Sequence, residues 1–498
     1  MRQHLLLYVN GQRHDVPAAD AFQPLSTFLR EELGLIGTKI VCAEGDCGSC
    51  TVLLGRPTGS GNSVRYQPVC SCIQYLLQLD ATHIVTVEGL AYDGQLNPVQ
   101  EAMVAEHGAQ CGFCTPGFVT AMCSILDEQP AATDQEMCRG LVGNLCRCTG
   151  YGSILSAGRA VDREQLRKIQ DLYDTAAIAA VLKDAAHETL ALESGYQHLY
   201  KPATVVEATT YLAKHDDTTI IAGGTDLGVQ TNKGLRQVRR TLSTAALDEL
   251  RGIKLDGNVL AVGTNTSLTE FELALQKHLP EYGAMLNWFG SPLIKNAGTL
   301  GGNIANGSPI GDTMPALYVL NAEIELTSST GPRRVNINDY YTGYKKSVRR
   351  TDELLTRVFI PLPSPGDLFK LYKISKRKDL DISTMTGAIW MRVKDKSIDE
   401  VRIAYGGVGP NILRLRNTEA SLVGQPFTAA TFRTAGKLAR TEITPISDVR
   451  GAAAYRLQLA ENLLLKFFHA VNSTNEANSL TNGALANGLP LSNGKGGH

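Results

Sequence analysis

The residues in this chain best suited to chemistry are its 11 cysteines, all of which fall between Cys42 and Cys148 of 498 positions. "CAEGDCGSC" sets Cys42, Cys47 and Cys50 at C-x4-C-x2-C. With a distant fourth cysteine, this is the spacing of a plant-type 2Fe–2S centre. Such a loop must wrap an inorganic group and aim several N–H groups at its sulfurs, and Gly45 and Gly48 permit that close approach. Zinc competes less well, because zinc sites usually come as C-x2–4-C pairs joined by a longer spacer. In a reducing compartment, this density of thiols speaks for metal or redox chemistry over disulfides.

A second set follows: "CGFC" at Cys111 and Cys114, and "CRC" at Cys146 and Cys148. Its spacing alone admits zinc, a thioredoxin-like C-x-x-C or a second cluster. Nothing nearby supplies the strand and helix of a thioredoxin motif, and two neighbouring clusters make a wire where a lone zinc does not. The first set still lacks one ligand, and "QPVCSCIQYLL" offers Cys70 and Cys72. If that segment is extended, the two side chains point to opposite sides; spacing does not choose between them. Cys123 falls on the apolar side of its predicted helix and reads as a core thiol. Cys138 is expected to be packed as well.

Two glycine-rich stretches are the other candidates. "AGGTDLG", Ala222–Gly228, follows an apolar strand; it is not the G-x-G-x-x-G of a dinucleotide fold. "GTLGGNIANGSP" is more specific. Its consecutive glycines beside Thr299 and Asn303 are expected to expose backbone N–H groups that hold a pyrophosphate. Two such loops suggest one dinucleotide gripped from both sides.

The elements that must position these residues change in texture along the chain. "HLLLYVNGQRHDV" reads as a hairpin around Asn-Gly, "LSTFLREELG" as a helix ending at Gly34, and "CTVLLG" and "HIVTVEGL" as strands. From about residue 97 the pattern is helical: Thr115 with Pro116 opens one helix, Thr133 with Glu136 forms a capping box, and "GYGSILSAGRAVDREQLRKIQ" supplies another. Residues 166–197 read as a partly helical linker, followed by two mixed segments and a polar tail unable to bury enough apolar surface to fold. A length of 498 residues implies two to four domains, and the net charge of -1 gives no footprint for nucleic acid or a membrane surface. No apolar run suits a signal peptide or a bilayer span, so a cytoplasmic protein is expected.

"GTKIVCAEGDCGSCTV", "QCGFCTPGFV" and "GNLCRCTGY" strongly resemble the molybdenum hydroxylase family, in particular the iron–sulfur portion of xanthine dehydrogenases. The resemblance extends over residues 1–470 in the family's order. It implies an α+β multidomain fold: a β-grasp ferredoxin-like domain (1–88), a helical-bundle 2Fe–2S domain (89–165), the linker (166–197), an α/β FAD-binding domain of the vanillyl-alcohol-oxidase type (198–368), and a C-terminal α+β flavoprotein domain (369–470), before a disordered tail (471–498). It carries the ligand role onto Cys42, Cys47, Cys50 and Cys72 for one cluster, and onto Cys111, Cys114, Cys146 and Cys148 for the other. Val41 stands where the family has glycine, a departure that removes no ligand.

Flavin contacts are implied at Ile220, Ile221, Ala222, Gly223, Gly224, Thr225, Asp226 and Leu227, and at Thr299, Leu300, Gly301, Gly302 and Asn303. Phe289, Asp312, Leu355 and Lys373 match further cofactor-contacting positions. The implied activity is that of the iron–sulfur/FAD electron-transfer subunit of a bacterial-type xanthine dehydrogenase in purine catabolism. Electrons from hypoxanthine or xanthine oxidation to urate, at a large molybdopterin partner subunit, would reach FAD and then NAD+. The family implies two small and two large subunits. Alternatives are the matching subunit of a carbon monoxide dehydrogenase or an aldehyde or aromatic hydroxylase, and a molybdenum-independent electron-transfer flavoprotein.

Overall fold

Asn10 and Gly11 take positive φ, 49° and 80°, as a two-residue hairpin turn requires. They join β1 (His4–Val9) to β2 (Gln12–Pro17), with Val9 opposite Gln12. Three more strands, β3 (Thr51–Pro57), β4 (Val64–Cys70) and β5 (Thr82–Val85), complete a mixed sheet ordered β2-β1-β5-β3-β4, in which only the β1–β5 pair is parallel. Leu5, Leu7, Val52, Leu54 and Ile84 form its core with Leu25 and Leu29. Those last two come from "LSTFLREELG", helical over Leu25–Glu32, where Leu33 N–H reaches back to the Phe28 carbonyl. The computed structural model describes residues 2–59 and 62–486.

Four helices follow: Pro98–Ala105, α1 (Thr115–Glu128), Asp134–Gly140 and Gly152–Ala160. They enclose Phe118, Met122, Leu126, Met137 and Ile154. The Thr133–Glu136 capping box is present. Thr115, expected to cap α1, is instead its first residue, because Cys114 before it already has helical backbone angles. Cys138 is exposed, contrary to expectation; Met137 takes the buried position, and the next residue on a helix points about 100° away.

The stretch read as a linker contains the helix Thr175–Ala186 and an edge strand, β6 (Leu190–Ser194). This strand pairs with β7 (Gln197–Lys201), and β8 (Thr219–Ile221) and β9 (Arg240–Ser243) complete a sheet ordered β6-β7-β9-β8. Strands β7, β9 and β8 are parallel. Helix α2 (Thr225–Asn232) therefore starts just beyond the carboxyl end of a parallel strand, where α/β sheets bind ligands. An antiparallel five-stranded sheet between Ile253 and Pro361 and the short helix α3 (Leu300–Asn306) finish this first compact unit, which spans 1–308, 322–361 and 377–381.

The second unit comprises 309–321, 362–376 and 382–498. Its antiparallel sheet of Leu368–Ile374, Met385–Lys394, Ser397–Gly406 and Leu413–Arg414 shares a core with three helices, through Ile389, Tyr405, Phe432, Leu464 and Phe467. The closing helix is continuous over Ala453–Ala486, beyond the expected boundary at 470. Extending an existing helix gains one hydrogen bond per residue fixed, and no proline interrupts this stretch. The rest of the polar tail, 487–498, lies outside the described residues.

Candidate functional site

The "CAEGDCGSC" loop turns at Ala43, Gly45 and Gly48, with φ of 55°, 76° and 69°. Its turns direct backbone N–H groups at the thiols: Glu44 and Cys47 donate to Cys42, Ser49 to Cys47, and Cys72 to Cys50. Cys72 meets both Cys42 and Cys50, whereas Cys70 meets Cys50 and gives its S–H to the Gly45 carbonyl at 3.6 Å. Hydrogen bonds from Cys47 and then Cys72 hold Cys42 well below the usual thiol range, and those from Cys70 and Cys72 do the same for Cys50. The thiolate is the metal-ligating form. Cys50 and Cys72 are each only 2% exposed.

Extended chain was the basis for placing Cys70 and Cys72 on opposite sides. Strand β4 ends at Cys70, and Ser71–Ile73 is a 3-10 turn. The turn abolishes the two-residue alternation, so both thiols reach Cys50.

In the second set each motif gives one cysteine to each pair. Cys148 and Cys111 are 3.5 Å apart, and Cys114 meets Cys146. Burial, then Cys146, pushes Cys114 up to about 12. Thr149 donates to Cys146 at 3.2 Å. Cys111 and Cys148 are exposed. Among the described residues, no three His, Cys, Asp or Glu side chains are grouped to hold a single metal ion; the thiols of the second set meet as two pairs, and those of the first as a chain through Cys42, Cys72 and Cys50. The Thr115 hydroxyl, adjacent in sequence to Cys114, is buried without a protein partner. This donor set fits an iron–sulfur group at each site. The two sets are joined directly, because Leu145 N–H, next to Cys146, donates to the Cys47 carbonyl at 2.9 Å. Asn144 braces the same contact from its amide to Gly48 O and Thr51 Oγ1, both at 3.1 Å.

The glycine stretches also come together. A Cβ on Gly223 would lie 1.9 Å from the Ala297 carbonyl oxygen, so only glycine lets these segments touch. The expected cradle of free N–H groups at "GTLGGN" is absent, however. Thr299 caps α3 through Gly302 N–H at 3.0 Å, while Leu300 and Gly301 N–H are taken by the Thr266 and Thr264 carbonyls. Asn303 N–H bonds Thr299 O. The open N–H groups are those of α2, whose N-cap, Gly224, offers no side chain. Beside it the Gln78 Oε1 is buried and unpartnered. An uncapped helix start and an orphaned amide oxygen fit a dinucleotide held chiefly by the first loop.

Ile220 and Ile221 turn their side chains into the core, leaving only their backbone for a cofactor. Leu355 is buried, and its carbonyl accepts from Thr264, which backs Gly301. Phe289 is half-buried after the helix Pro280–Leu286. Asp312 and Lys373 belong to the second unit, as an ion pair at 2.6 Å that shares Ser383. Sequence reasoning missed Gln74 and Gln78, whose amides both donate to Gly223 O at 3.1 Å. Their i, i+4 spacing just after Cys72 was the only signal.

Four family models match in series: a 2Fe-2S iron-sulfur cluster binding domain over 7–75, a [2Fe-2S] binding domain over 86–159, the FAD binding domain in molybdopterin dehydrogenase over 193–363, and the CO dehydrogenase flavoprotein C-terminal domain over 370–471. These are the iron–sulfur and flavin domains of the molybdenum hydroxylases. Xanthine dehydrogenase 1 of Arabidopsis thaliana is 29% identical over 95% of the chain, and xanthine dehydrogenase/oxidase of Rattus norvegicus is 27% identical over 94%. The chain spans 40% and 39% of those relatives' lengths. Among solved structures, reconstituted CO dehydrogenase from Oligotropha carboxidovorans is 27% identical with a TM-score of 0.52, covering 55% of this chain and 96% of that one. Quinoline 2-oxidoreductase from Pseudomonas putida 86 is similar at 25% and 0.51, covering 56% of this chain and 96% of that one. No helix among the described residues is long and apolar enough to cross a membrane.

Proposed function

We propose that this chain is the electron-transfer part of a cytoplasmic xanthine dehydrogenase complex, working with a large molybdopterin-binding partner in an assembly of two small and two large subunits. When bound, the clusters supply one-electron transfer, and the flavin supplies the two-electron exchange with NAD+. The observation that carries the reading is the gradient of burial along the cysteines. In the second set Cys111 and Cys148 are exposed beside Phe113 and Tyr151, which are also exposed, and Cys114 alone is buried, whereas in the first set Cys50 and Cys72 are buried and Cys42 and Cys47 half-buried. The exposed set is the end suited to meet a partner. The Leu145–Cys47 hydrogen bond leads inward from it, and Gln74 and Gln78 join the segment after Cys72 to the flavin loop. The ligand roles of the eight cysteines and the flavin role of residues 220–227 and 299–303 are part of this proposal.

The solved carbon monoxide dehydrogenase and quinoline oxidoreductase chains favour a second reading, in which the partner hydroxylates another substrate. Against it, about half of this chain covers nearly all of each of those chains, whereas xanthine dehydrogenase 1 of Arabidopsis thaliana matches 95% of it. The test is to purify the chain anaerobically with whatever copurifies. About four irons per flavin and xanthine-dependent NAD+ reduction by a molybdopterin-containing complex are expected. Two irons per flavin, or stoichiometric zinc, would remove the two-cluster reading; oxidation of another substrate but not xanthine would move the assignment to the second.

A further inference from the structure

Helix α2 starts at the flavin loop and ends on the first cysteine loop. Gly228, midway along it, lies against the Ile73 backbone, where a Cβ would stand 2.4 Å from the carbonyl oxygen. At the far end, the Asn232 amide donates to the carbonyls of Ala43 and Cys72, both at 2.8 Å. Its oxygen accepts from Tyr75 OH, also at 2.8 Å. The amide nitrogen thus ties the cysteine loop to the Cys72 segment, and the oxygen is itself held by Tyr75. Next to Asn232, Lys233 pairs with Glu44.

Ala43 is a non-glycine residue at φ 55°, a conformation that persists only where the surrounding contacts offset its strain. Asn232 holds the carbonyl of this residue. In a trans peptide the carbonyl and the following N–H point oppositely. Holding the Ala43 oxygen toward Asn232 therefore turns the Glu44 N–H the other way, and that N–H donates to the Cys42 sulfur. A peptide whose oxygen already accepts a hydrogen bond is also a better N–H donor.

We propose that Asn232 sets the reduction potential of the first cluster, by keeping the Ala43–Glu44 peptide oriented so that its N–H stays on the Cys42 sulfur. Hydrogen bonds to cluster sulfurs offset the extra negative charge of the reduced state and so raise the potential. Asn232 touches no ligand sulfur and acts as a positioning residue. The inference rests on the proposed ligation of a 2Fe–2S cluster by Cys42, Cys47, Cys50 and Cys72.

The experiment is a redox titration of the purified complex, followed by electron paramagnetic resonance of both clusters and by flavin absorbance. Asn232→Leu keeps the volume and removes every hydrogen bond. At fixed ambient potential it should shift the first cluster about tenfold toward the oxidised form, which is about 59 mV for a one-electron couple. The second cluster and the flavin should keep their midpoints, and Asn232→Gln should recover part of the shift. Tyr75→Phe frees the carboxamide more gently and should move the first cluster the same way by about twofold, which provides the reading if the Leu variant fails to hold its cluster. Unchanged first-cluster midpoints in variants that retain its signal would overturn the proposal, as would equal shifts in all three centres. Absence of a first-cluster signal from the parent chain would overturn the ligation reading instead.

Discussion

At the scale of single residues, the structure separates two cysteines that spacing could not. Both reach Cys50, but only Cys72 also meets Cys42, which supports the ligand role proposed for it. Cys72→Ser should abolish the first cluster's resonance signal, and Cys70→Ser should retain it with iron content unchanged; the reverse pattern would exchange the two roles. The motif residues Cys42, Cys47 and Cys50 were legible because a fixed local spacing makes their loop. The choice at 70 and 72 was not, since a single 3-10 turn has no periodic signature. A histidine makes a second residue-scale case. His83 accepts from Gly11 N–H at 3.0 Å and lies 2.7 Å from Tyr66 OH, and burial lowers it from 6.5 to about 4. The folded state therefore resists protonation that the unfolded chain accepts. The stability tied to neutral His83 is fully present above pH 6.5 and is lost as pH falls toward 4, on the order of 3 kcal/mol in all. Thermal melts between pH 4 and 7 should show a smaller acid loss in His83→Asn.

At the scale of elements, position depends on contacts that the sequence does not announce. "GTLGGNIAN" reads as a loop because consecutive glycines are poor helix formers. It folds as α3 because Thr299 caps it and Gly301 lies against Thr264, where a Cβ would come within 2.5 Å. The hairpin around Asn10–Gly11 and the Thr133 capping box, by contrast, are local devices and were readable directly. Asp80 is another long-range determinant. It binds Arg2, beside β1, at 2.9 Å and Lys201, on β7, at 2.8 Å, all within the first unit. Lys201 and Asp80 side chains are each 2% exposed. Removing the carboxylate leaves a buried ammonium without its counter-charge, so Asp80→Asn should cost about 3–5 kcal/mol. Denaturant midpoints that match the parent would show that the pair is dispensable. Gly228→Val should weaken the seating of α2 on Ile73 and lower the midpoint as well, without touching a cysteine.

At the scale of the whole molecule, the order of the segments was legible throughout, since each carries its own motif. The contacts that make three of them one unit were not, because the partners of Asn144, Gln74, Gln78 and Asn232 lie far away in the sequence. The contrast in exposure between the two cysteine sets has a consequence for how the protein is made and lost. In the first set Cys50 and Cys72 are 2% exposed beneath the end of α2, with Cys42 and Cys47 half-buried, so the proposed inner site is expected to fill before that helix settles over it. Cys111 and Cys148 stand open after folding is complete. Biogenesis should therefore run from the inner site outward, and ageing should run the other way. With the chain purified free of its partner, a membrane-impermeant iron chelator with reductant should remove half of the iron and one of the two resonance signals quickly. The remaining signal should be the one that Cys72→Ser eliminates, and it should resist until the chain unfolds.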